Sequence, residues 1–103
     1  MPRPRTQKPR SARHCAIGKA IETIAERKGM TQEEVAFASG IEGKQLGSYV
    51  RGAGNPTLAT LLKLSDGLNV SFAELAVQAA MLQTETRSRT LIQDDGASAQ
   101  LGA

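Results

Sequence analysis

The stretch from Thr31 to Gly52, TQEEVAFASGIEGKQLGSYVRG, leaves few folds open to this chain. Gln32, Ala36, Gly40, Ile41, Leu46 and Tyr49 stand at the spacings of two short helices meeting at a sharp turn. Ala36 is small where the two would cross. Gly40 can adopt the positive φ that such a turn demands. Leu46 and Tyr49, one helical turn apart, share the inner face of the second helix of the pair. Gly43, Lys44, Gln45 and Ser48 are left on its outer face.

Around this pair, hydrophobic spacing extends the helical reading. Ile17, Ala20, Ile21, Ile24 and Ala25 recur as one buried helical face, with Lys19, Glu22, Glu26 and Arg27 on the others. Gly29 is placed to end this first helix. Thr31 and Glu34 have the spacing of a capping box for the second, with Val35 and Ala36 turned inward and Gly40 as its stop. The third, from about Gly43 to Arg51, has a weak start. Glu42 stands at its N-cap, and Gly43 and Gly47 each cost roughly 1 kcal/mol relative to alanine. It must rely on packing by Leu46, Tyr49 and Val50. Gly-Ala-Gly-Asn-Pro, residues 52–56, is a loop. Thr57 caps a fourth helix expected to turn Leu58, Leu61, Leu62 and Leu68 inward and to end at Gly67 and Asn69. Ser71 and Glu74 suggest a second capping box, opening a fifth helix with Phe72, Leu75, Ala76 and Ala79 on its apolar side. The expected fold is all-α. A compact five-helix domain spans residues 14–82, between a disordered arm at residues 1–13 and a frayed polar tail at residues 83–103.

Composition agrees with that plan. With 103 residues there is room for one domain. Such a domain buries only about 60% of its unfolded surface, so modest stability is expected. Phe37, Tyr49 and Phe72 are the only Phe, Tyr or Trp residues, so Leu, Ile, Val and Ala must fill the core, which suits packed helices. Cys15 is alone, so no intrachain disulfide can form, which fits a reducing compartment. No apolar run approaches the ~20 residues of a membrane span, and none follows the N-terminus as a signal peptide would require. The expected location is cytoplasmic.

The net charge of +3 conceals an asymmetry. Arg3, Arg5, Lys8, Arg10 and Arg13 precede Ile17 with no acidic residue among them, while positive and negative side chains nearly cancel from Ile17 to Ala80. Positive charge on an arm rather than on the body suggests a nucleic-acid tail. Fully extended, the arm would reach about 40 Å, enough to follow a groove. The alternative is a solubilising leader.

The ordered run Gly29-Met30-Thr31-Gln32-Glu33-Glu34-Val35-Ala36, then Gly40-Ile41, Leu46, Gly52 and Asn55-Pro56-Thr57, with Leu61, Leu64, Leu68, Val70 and Leu75, resembles the xenobiotic-response-element family. This is the helix-turn-helix of Cro and the phage repressors, and the resemblance covers about residues 15–80. It implies a third helix lying in a DNA major groove. By position, Gly43, Lys44 and Ser48 match base-facing sites, with Gln45 adjacent. Gln32 and neighbouring Thr31, at the start of the second helix, match phosphate contacts, as do Arg51 and the loop through Asn55. Where the family often pairs an arginine of the first helix with a glutamate of the third, this chain has Ala25 and Val50. An ionic pair replaced by apolar contact is the expected result, a change that can be neutral or stabilising.

The leading expectation is thus a sequence-specific regulator of double-stranded DNA. Lys44 would read guanine and Gln45 adenine, with phosphate contacts setting the register. The alternative for Lys44 and Gln45 is an ordinary solvated helix face. A different class, an antitoxin or other interaction module, would use the tail around Leu91-Ile92-Gln93-Asp94-Asp95 to fold onto a protein partner. An enzyme is not expected: His14 and Cys15 are adjacent and alone of their kinds, with no third group to orient a base. One His and one Cys cannot make a zinc site within the chain, and no cofactor is implied. The fifth helix with Met81 and Leu82 is a candidate homodimer surface, although a core face would explain those residues equally well.

Overall fold

Side-chain caps mark the starts of every helix but the third, and glycine explains two of the close crossings. The computed structural model describes residues 8–94, with side chains as far as residue 83. Its elements are α1 (Ala12–Arg27), α2 (Gln32–Ser39), α3 (Gly43–Val50), α4 (Leu58–Leu68) and α5 (Phe72–Asp94), with no strand among the described residues. The all-α, five-helix expectation holds. Arg3, Arg5 and residues 95–103, including Asp95, lie outside the described residues.

Ser11 caps α1, its Oγ accepting the His14 N–H at 3.3 Å. Ala12 and Arg13 are therefore helical, where the sequence placed them in the arm. The capping box of α2 is complete. The Glu34 N–H donates to Thr31 Oγ1 at 3.1 Å, and the Thr31 N–H donates to Glu34 Oε1 at 2.8 Å. Gly40 follows at φ 74°, a left-handed conformation that a β-carbon would penalise. Glu42 makes no side-chain cap for α3. Thr57 Oγ1 accepts the Thr60 N–H at 3.1 Å and opens α4.

Three expectations need correcting. Gly67 lies inside α4, which ends at Asn69 in a left-handed conformation. Ser71 Oγ does accept the Glu74 N–H at 3.0 Å, but the Glu74 carboxylate turns to Arg27, whose Nη2 donates to it at 3.0 Å. Leu58 and Leu62 are 62% and 45% exposed. The inward arc of α4 is instead Leu61, Leu64, Ser65 and Leu68. Leu62 sits about 100° around the helix from Leu61, and Leu58 starts the helix at the edge of the core. In addition, α5 continues past Gln83, where fraying was expected, to Asp94.

The core is Ile21 and Ile24 of α1, Val35 of α2, Leu46 of α3, and Leu64 and Leu68 of α4. Leu75 joins it from α5. α1 packs chiefly on α5 and α3, and α2 chiefly on α4. Two crossings are too close for any side chain. A Cβ on the buried Gly18 of α1 would overlap the carbonyl oxygens of Tyr49 and Val50, and one on Gly67 would overlap Ser39 of α2. The C-terminal turn of α3 therefore lies directly on the backbone of α1.

Candidate nucleic-acid interface

Packing on α1 fixes which side of α3 faces out. Leu46 and Tyr49 are buried, and Gly43, Lys44 and Gln45 are exposed with Ser48 half-buried. The structure thus brings the four expected base-facing positions onto one outward ridge. They are not equally free. Ser48 Oγ donates to the Gln45 carbonyl at 2.8 Å, and Gln45 Nε2 donates to the Tyr49 hydroxyl at 2.6 Å. To grip adenine with both ends of its amide, Gln45 must leave Tyr49. Lys44 has only to extend.

A second cluster forms beside this ridge. Gln32 and Arg51 are both exposed, and the ends of their side chains converge above Gly47. A Cβ there would stand 3.2 Å from Arg51 Nη1 and 3.4 Å from Gln32 Nε2. Gly47 is buried beneath them and so is not part of the reading surface. It makes room for a guanidinium and an amide to meet. Such a pairing, beside the N–H groups at the start of α2, suits a phosphate oxygen. Thr31 is less well placed. Its N–H is taken by Glu34, and only its hydroxyl hydrogen remains for a phosphate.

The loop after α3 is held from both sides. Gly52, at φ 77°, lies against Cys15, and Gly54 lies against Ser48 and the Tyr49 ring. The Arg10 N–H donates to the Gly52 carbonyl and Arg10 Nε to the Ala53 carbonyl, both at 2.8 Å. Asn55, exposed at the end of this loop, meets His14 Nε2 at 2.9 Å. Arg10 is thus docked on the body. Arg13 lines an apolar hollow with Ala16, Ile17 and Phe72, away from this loop, and Lys8 is exposed. Sequence reasoning passes over Gly18 and the His14–Asn55 contact. A glycine inside an otherwise good amphipathic helix is a signal for the first. The second joins residues far apart in the chain and leaves no local signal.

Val50 packs against the core cluster that contains Ala25, and both border a hollow of about 190 Å³ with Ile21, Met30, Val35 and Leu46. Among the described residues no cluster of His, Cys, Asp and Glu could hold a metal ion. No helix there is long and apolar enough to cross a membrane.

Comparison with known proteins agrees with the geometry. The helix-turn-helix family model matches residues 21–75. An uncharacterised HTH-type transcriptional regulator, y4dJ of Sinorhizobium fredii, is 42% identical over 59 residues, covering 57% of this chain and 77% of its own. The restriction-modification controller protein C.AhdI of Aeromonas hydrophila superposes with a TM-score of 0.61 at 32% identity, over 63% of this chain and 98% of its own. The clp gene regulator ClgR of Corynebacterium glutamicum shares the fold, with a TM-score of 0.76 at 23% identity over 84% of this chain and 92% of its own. The basic arm and His14 precede the matched residues. The chain belongs to the helix-turn-helix family of the Cro and phage-repressor type.

Proposed function

We propose that this DNA-binding transcriptional regulator lays α3 in a major groove and reads bases with Lys44 and Gln45. The observation that carries the proposal is the outward ridge Gly43-Lys44-Gln45-Ser48, held on a buried Leu46–Tyr49 face. Beside it, Gln32 and Arg51 converge over Gly47 to take one phosphate, and the Asn55 amide takes another. Lys8 and Arg10 lie at the exposed start of the chain's described part and add sequence-independent attraction, as Arg3 and Arg5 would further along the arm. Repression by occupying an operator, in the cytoplasm and on the nucleoid, is the simplest use of such a domain. Val77 and Met81, 56% and 60% exposed on α5, offer a surface for pairing two copies on two half-sites.

The test is Lys44→Ala combined with Gln45→Ala, titrated against a site recovered by selection and against mixed-sequence duplex. The double variant is expected to lose on the order of 100-fold on the selected site, as for two base contacts, and far less on the mixed duplex. Equal losses on both would remove these residues from base reading.

A further inference from the structure

The contact between α1 and the loop after α3 contains a chain of three hydrogen-bonding side chains, Ser11, His14 and Asn55. Asn55 Oδ1 lies 2.9 Å from His14 Nε2. A carbonyl oxygen only accepts, so Nε2 must carry a proton. Ser11 Oγ lies 2.7 Å from Nδ1 and also accepts the His14 N–H, so it holds the other edge of the ring. His14 is thus held by Ser11 at Nδ1 and donates to Asn55 from Nε2. The Asn55 carboxamide is thereby turned with its oxygen inward and its NH2 group outward.

That orientation matters for charge. An NH2 group attracts a phosphate oxygen, and a carbonyl oxygen repels it. Left free, the Asn55 side chain would sample both. The frame around it is rigid: Arg10 holds the Gly52 and Ala53 carbonyls, and Gly52 and Gly54 are pressed between Cys15 and Tyr49. We infer that His14, set by Ser11, is a positioning residue for DNA binding, fixing Asn55 as a phosphate donor without itself touching DNA. The inference rests on the DNA-binding reading given above. It assigns a role to the N-terminal turn of α1, which precedes the residues matched by the family.

The test uses the full chain and a fluorescent mixed-sequence duplex at low salt, since a phosphate contact does not depend on sequence. Asn55→Ala and His14→Phe are each expected to weaken binding about fivefold, the size of one hydrogen bond. The double variant should bind no worse than either single one, because His14 acts only through Asn55. His14→Gln, whose amide nitrogen can stand where Nε2 stood, should recover most of the affinity. Thermal unfolding of each variant shows that the effect is not a loss of fold. If His14→Phe binds like the parent, or if the two losses multiply, the positioning role is overturned. Arg51→Ala separates the two levels of the argument. If Arg51→Ala weakens binding and His14→Phe does not, the relay fails alone. If the parent does not retain the duplex, the DNA-binding reading fails and the relay with it.

Discussion

α2 and α3 are both eight residues long, meet at one turn, and are stabilised in opposite ways. α2 carries its own start signal, a reciprocal capping box between Thr31 and Glu34. α3 begins at Glu42 with no side-chain cap and contains two glycines. What α3 lacks locally it gains from α1, whose Gly18 lets the Tyr49 and Val50 carbonyls approach the backbone. The helix that would touch DNA is thus the one whose order is borrowed. Its start is left without a side-chain cap.

This contrast can be broken hardest at Gly18. Gly18→Ala puts a methyl group into two carbonyl oxygens of α3. Neither backbone can move without unpacking, so a loss of about 3 kcal/mol is expected, at the upper end of overpacking costs. For a domain of this size that is a fall in Tm of roughly 12–24 °C. A melt within a few degrees of the parent would show that α3 does not depend on this crossing.

The helix starts give the next effect. Thr31→Ala should cost about 1 kcal/mol by removing the cap of α2. Glu42→Ser should do the reverse and stabilise by about 1 kcal/mol, because it supplies a cap that α3 lacks. Denaturant unfolding of the two variants checks both signs. No gain from Glu42→Ser would mean that the start of α3 is already satisfied by its surroundings.

The smallest effect lies at the far end of α1. Arg27 and Glu74 pair at 3.0 Å with both side chains about half exposed, 49% each. Screening by water leaves such a pair worth under ~1 kcal/mol, so Arg27→Ala should shift the unfolding midpoint only slightly. A loss comparable to that of Gly18→Ala would place the weight of the fold at the α1–α5 end instead.

The same contrast explains what the sequence makes legible. Thr31 and Glu34, Gly40, Thr57 and the Leu46–Tyr49 face all act through neighbours in the chain, and each is found where spacing puts it. The errors occur where a distant group competes. Glu74 leaves its own cap for Arg27 of α1. Leu58 and Leu62 look inward by composition, but the position of α2 against α4 selects Leu64 and Ser65. Gly47 reads only as a residue that weakens its helix, yet it is the floor on which Gln32 and Arg51 meet. For the candidate site, the ridge residues are legible from helical period, whereas Gln45's bond to Tyr49 and the Ser11–His14–Asn55 chain need the fold.

The central claim is that Lys44 and Gln45, displayed on a borrowed helix, choose a DNA sequence. Selection of bound duplexes from a random pool by the full chain tests it most directly. The account predicts a recovered motif that the Lys44→Ala, Gln45→Ala variant no longer enriches. Recovery of the same motif by parent and variant, or of none by the parent, would contradict it.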